Sequence, residues 1–188
     1  MDQPKVKELE LEPGIQGVRL SNDQFSVTVA PQLGGKLVSL IHRKTRREFL
    51  SRTKIAYRPR TYGDPFEDYE RDGADECFPG IEESPYPSFP WQGASVPCHG
   101  EVWTLPWEYQ VRQGKLHMWA HGVRFPYVLE RRIHFEILAR QEKPYIRFSY
   151  RVQNQSPYQY RRQLCVIIIA QSSYVGRNEL NYIGSGFS

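Results

Sequence analysis

The sequence predicts an all-β protein, and three observations predict it. Apolar residues recur with a period of two in several runs, as they do in strands with one buried face. No run shows a 3.6-residue apolar stripe with capping residues at its ends. Fourteen prolines and fourteen glycines in 188 residues leave little room for long helices.

Along the chain, Phe25, Val27 and Val29 alternate with polar neighbours and define a first strand. Pro31-Gln-Leu-Gly34-Gly35 follows as a tight connection, since glycine tolerates positive φ, and the apolar run KLVSLIH is the next strand. Glu101–Val111 and Lys115–Ala120 are expected to pair across Arg112-Gln-Gly114. Leu129, Ile133, Phe135 and Ile137 alternate in one later run, and Ile146, Phe148, Tyr150 and Val152 in another. The polar stretch ARQEKP between them suits a hairpin loop.

The stretch from Tyr57 to Gly100 has a different character. Its seven prolines, interleaved with acids and aromatics, exclude most of it from central strands. Long irregular segments in compact domains are unusual unless they are functional, so this one reads either as cover for a sheet edge or as the rim of a binding cleft.

Composition narrows the function classes. With 39% hydrophobic and 24% charged residues the chain folds around a core. No run is long and apolar enough for a membrane helix, and the first thirty residues are polar and acidic where a signal peptide is apolar, so a cytoplasmic protein without a membrane partner is expected. Three cysteines without C-x-x-C spacing suggest neither a disulfide framework nor a zinc site, and no metal is assigned. The net charge of +4 is unevenly placed: eight bases against one acid lie between Arg43 and Arg60, and nine acids against one base between Asp64 and Glu83. Adjacent blocks of opposite sign cancel the field that a nucleic-acid binder needs, so no nucleic-acid partner is expected.

Several residue types in the irregular stretch suit sugar recognition, because a pyranose offers hydroxyls to carboxylates and arginine and a C–H face to aromatic rings. Arg71, Asp75 and Glu76 supply the polar groups, and Trp91, Trp103 and Trp107 the candidate platforms. His99, flanked by Cys98 and Gly100, titrates near neutrality and suits proton transfer. Taken singly, each of these also reads as an ordinary structural residue.

The combination resembles a known family. Val29-Ala-Pro-Gln-Leu-Gly-Gly-Lys-Leu-Val-Ser-Leu with Arg47-Glu-Phe-Leu50, then Asp75-Glu-Cys-Phe-Pro79, Tyr86-Pro87, His99-Gly-Glu-Val-Trp103 and Leu105-Pro-Trp107, is similar to the aldose 1-epimerase (galactose mutarotase)-like proteins. YVLERR from Tyr127 and Val152-Gln-Asn154 continue the pattern, so the likeness covers about residues 15–160 of one domain spanning 1–188, with 161–188 a divergent tail. The resemblance implies an antiparallel β-sandwich of the galactose mutarotase-like supersandwich type that binds a hexose and interconverts its anomers. One group protonates the ring oxygen while a base takes the anomeric hydroxyl proton, which needs no cofactor. It implies His99 as the catalytic histidine and Arg71 as a hydroxyl-binding arginine, and Asp75, Glu76, Glu101 and Trp103 join Arg71 as the candidate substrate-binding residues. It also implies a second histidine after Asn154 and a later carboxylate base. Residues 160–188 contain no histidine, while His117, His121 and His134 fall before that point. The expectation is therefore an incomplete sandwich with an impaired catalytic set, the alternative being a non-catalytic carbohydrate-binding module.

Overall fold

Two antiparallel sheets face each other in the computed structural model, which describes residues 4–138, 143–158 and 165–168. In chain order the strands are β1 (Lys5–Glu12), β2 (Ile15–Ser21), β3 (Phe25–Ala30), β4 (Lys36–His42), β5 (Arg47–Glu48), β6 (Ala74–Cys77), β7 (Ser84–Pro85), β8 (Ser95–Val96), β9 (Glu108–Arg112), β10 (Lys115–His121), β11 (Tyr127–Leu138), β12 (Lys143–Asn154) and β13 (Cys165–Ile168). The larger sheet runs β1-β2-β3-β4-β6-β13 with β5 attached to β4; the smaller runs β12-β11-β10-β9, and β7 pairs with β8 alone. Every strand pair is antiparallel. Among the described residues no helix is long and apolar enough to cross a membrane.

Alternation decides what lies between the sheets. Val18, Leu20, Val27, Val29, Leu37 and Ala74 of the larger sheet meet Leu116, Met118, Ala120, Leu129, Ile133 and Phe135 of the smaller one. Leu129 and Ile133 are 0% exposed, and each such side chain contributes roughly 1.5–3 kcal/mol through burial. The opposite face of the larger sheet is covered as well. There Ile15, Ala30, Leu33, Val38 and Tyr57 pack together, beside a second group of Phe66, Tyr69 and Trp103.

The strands read from alternation are present, and the β11–β12 hairpin pairs in register from Tyr127↔Asn154 to Leu138↔Lys143. Its connection at 139–142 lies outside the described residues. Of the tail, only β13 is described, paired with β6. One expected strand begins later than the sequence suggests. Glu101–Trp107 forms turns, closed by Thr104 N–H donating to Glu101 O (3.1 Å), and the pairing with β10 starts at Glu108. The two indoles hold this turn, Trp103 Nε1 donating to Cys98 O (3.2 Å) and Trp107 Nε1 to Val102 O (3.0 Å). The Gly34-Gly35 connection explains how the turn settles on the sheet. Gly34 has φ 68°, and a Cβ there would collide with the Trp103 backbone.

Candidate functional site

Residues 78–100 leave the end of β6 and return to it. Gly100 forms a bridge with Phe78, and Glu101 N–H donates to Phe78 O (2.7 Å). Gly100 lies at φ 74°, where a side chain would strike the Phe78 backbone, so this closure requires glycine. The residue before it, His99, also has a left-handed φ of 62°, which is uncommon for a non-glycine residue.

His99 is fixed from several directions. Its backbone N–H donates to Ile81 O (2.6 Å), and its imidazole stacks on Phe66 with centroids 4.0 Å apart and planes 13° from parallel. Its Nδ1 lies 3.0 Å from Cys98 Sγ. The ring is half-buried, and Nε2 has no hydrogen-bond partner among the described residues and is not sealed from solvent. Burial holds the imidazole below the ordinary histidine range, opposed by the Asp75 and Glu67 carboxylates. Burial, with Glu67 and Glu83, pushes the Cys98 thiol up.

Phe66 is presented by a short 3-10 turn, Phe66–Asp68, and backed by Trp103 edge-on at 5.1 Å. Beneath lies a layer of buried charge. Asp75 accepts from Lys36 Nζ (2.6 Å) and Arg60 Nη1 (3.0 Å); Lys36 also lies 3.7 Å from both Glu70 and Asp72, and Arg60 bonds Glu70. Arg60 donates further to Leu33 O (3.2 Å) and Trp103 O (2.8 Å), which ties the irregular segment to the sheet end. Burial alone would raise the Asp75 pKa, but Lys36 and Arg60 together hold it below the ordinary aspartate value.

The structure separates the residues singled out from the sequence. His99 and Asp75 share the outer side of the larger sheet, where the Asp75 charge acts on the imidazole. Glu76, its neighbour on β6, faces between the sheets, bonded by Arg131 and by Tyr150 OH (2.8 Å). Burial pushes Glu76 up against the opposing pull of these two donors. Glu101 is 0% exposed and accepts from Tyr62 OH (2.8 Å) and Arg124 N–H (2.9 Å), so it secures loops beneath the surface. Trp103 is 1% exposed and is wall, not platform. Arg71 is exposed, and the arginine that reaches Asp75 is Arg60. Trp107 is buried against Arg131, and half-buried Trp91 packs on Tyr86. His117 and His134 bond Glu130 and Glu136 on the outer side of the smaller sheet, and His121 is exposed at the end of β10. Among the described residues no group of three His, Cys, Asp or Glu side chains is placed to hold a metal ion.

Lys36, Arg60, Phe66 and Cys98 were not legible as site residues. Lys36 follows the Gly-Gly turn, and alternation puts it on the same face as Val38; that position was the available signal.

No family model and no curated protein matches the sequence. Solved structures do resemble the chain. A galactose mutarotase-like protein from Clostridium acetobutylicum superimposes with a TM-score of 0.60 at 13% identity, over 90% of this chain and 55% of that one. A galactose mutarotase-like protein from Lactobacillus casei gives 0.59 at 14%, over 82% and 49%. The 4-alpha-glucanotransferase from Thermococcus litoralis gives 0.54 at 19%, over 88% and 26%. The chain thus spans about half the length of the two mutarotase-like proteins. At these identities the likeness is one of fold: the chain is an antiparallel β-sandwich of the galactose mutarotase-like type.

Proposed function

We propose that the chain binds a neutral hexose at His99, with Nε2 meeting the sugar's ring oxygen, in an acid–base site of the aldose 1-epimerase type. The observation that carries this reading is the posture of His99: left-handed backbone, ring stacked on Phe66, Nδ1 occupied and Nε2 open. The names of the fold neighbours agree with a carbohydrate ligand. The Glu67 and Glu83 carboxylates act on Cys98, and Glu67 on His99, and that negative field favours a neutral sugar over a phosphorylated one.

Anomer exchange needs two proton-handling groups. Asp75, Glu76 and Glu101 are each buried and held by hydrogen-bond donors, which leaves Glu67, exposed on the turn that carries Phe66, as the carboxylate beside His99 able to act as the base. The engagement of those three carboxylates equally supports a second reading, sugar binding without turnover. Polarimetry on freshly dissolved α-D-galactose and α-D-glucose separates the two. Under the first, the protein accelerates mutarotation above buffer, His99→Ala lowers the rate about 10²-fold, and Glu67→Gln lowers it as well. Under the second, sugar binds and the rate stays at the buffer value. Absence of both binding and turnover contradicts the proposal.

A further inference from the structure

The partner of His99 Nδ1 remains to be given a role. Sγ of Cys98 sits 3.0 Å from that nitrogen, and the two residues are adjacent in sequence. The contact occurs at a residue with a positive φ of 62°. The pair is not a thiolate–imidazolium couple. Burial and the Glu67 and Glu83 carboxylates favour the neutral thiol, and burial favours the neutral imidazole.

Between two neutral groups the direction of the hydrogen bond depends on which is the better acceptor. A thiol is a weak acceptor, whereas the unprotonated imidazole nitrogen, 3.0 Å away, is a strong one. The S–H proton therefore goes to Nδ1, and the ring proton belongs on Nε2.

We propose that Cys98 is a positioning residue that fixes the tautomer of His99, so that Nε2–H is presented as a hydrogen-bond donor to the ligand. This rests on the reading of His99 as the sugar-binding histidine. It deepens that reading by assigning the direction of the bond: the sugar accepts at its ring oxygen and His99 donates. Phe66 fixes the plane of the ring and Cys98 fixes its proton, so the donor is set before the ligand arrives. In the other tautomer Nε2 would present a lone pair to the ring oxygen, which is itself an acceptor, and the two would repel.

The test uses the full chain, uniformly labelled with ¹⁵N, and long-range proton–nitrogen correlation spectra of its imidazoles at neutral pH. His99 is assigned as the signal lost in His99→Asn. The wild-type ring is expected in the Nε2–H form, Cys98→Ser is expected to keep it through its hydroxyl, and Cys98→Ala is expected to give a mixture of tautomers. An Nδ1–H ring in the wild type, or an undisturbed Nε2–H ring in Cys98→Ala, overturns the proposal. Titration with D-galactose and D-glucose supplies the second readout. Cys98→Ala weakens binding about three- to tenfold, the scale of one neutral hydrogen bond, and Cys98→Ser restores it. Equal affinity in wild type and Cys98→Ala also overturns the proposal. If the wild type binds neither sugar while the tautomer follows Cys98 as expected, the hexose reading falls and the positioning role of Cys98 stands.

Discussion

Asp75 and Glu76 adjoin in sequence and point to opposite faces of β6, Asp75 to Lys36 and Arg60 on the outer side and Glu76 to Arg131 and Tyr150 between the sheets. This follows from the pleat, which sends successive side chains to opposite faces. Two carboxylates that look like a catalytic pair in the sequence are thereby divided. One anchors the floor of the site, and the other joins the two sheets.

That floor is vulnerable to the loss of a cation. Lys36 is 0% exposed and lies near Glu70, Asp72 and Asp75. Lys36→Met strands buried carboxylates and is expected to lower stability by about 3–5 kcal/mol in denaturant unfolding. Lys44→Met, at an exposed position, is expected to change it by less than about 0.5 kcal/mol. Similar values for the two variants would show that the buried cluster contributes nothing particular.

The same cluster sets a pH dependence. The folded pKa of Asp75 lies below its unfolded value, so the stability it contributes is present above the ordinary aspartate pKa of about 3.9 and is lost as pH falls through the lower folded value. Asp75→Asn is expected to be less stable near neutrality and to lose less stability than the wild type on acidification. Parallel acid limbs for the two proteins would assign acid sensitivity to other groups.

Gly100 carries the closure that presents His99. Gly100→Ala puts a Cβ into the Phe78 backbone at a positive φ and is expected to cost roughly 1–3 kcal/mol or more, with a shifted His99 ring signal. Gly63→Ala has a similar φ but open space around it, so it is expected to be milder and to leave His99 unmoved. A His99 signal unchanged in Gly100→Ala would separate the imidazole's posture from the loop closure.

Much of the sandwich was legible because alternation is a local property. Val27 and Val29, Leu129 and Ile133, and Ile146 and Phe148 announce their faces within a few residues. β1 and β2 were not singled out, since the lysines and glutamates of β1 hide its sparse apolar positions and Gly17 and Arg19 interrupt β2. β6 was hidden for another reason: Ala-Asp-Glu-Cys has no apolar alternation, and its carboxylates are buried by ion pairs that come from distant segments. Of the candidate site, His99 and Asp75 were singled out from the sequence. Arg60 was not, because nothing local separates the one buried arginine of the basic run from its exposed neighbours.

Arg60 and Arg71 differ in burial, the first paired beneath the irregular segment and the second exposed. Arg71→Ala is expected to leave stability within about 0.5 kcal/mol of the wild type and sugar affinity unchanged. Arg60→Ala removes the contacts to Glu70, Asp75, Leu33 and Trp103 and is expected to destabilise the fold strongly. Thermal melts of both variants, with a sugar titration of Arg71→Ala, check this; loss of binding on replacing Arg71 would restore it to the site.

The most direct test of hexose binding at His99 is a titration of the ¹⁵N-labelled chain with D-galactose and D-glucose, following backbone and imidazole signals. Saturable shifts are expected at His99 and along its rim at Phe66, Glu67 and Glu83, with His117 and His134 on the far sheet unmoved. Absence of saturable shifts with either sugar, or shifts confined to the outer side of the smaller sheet, would contradict a sugar site at His99.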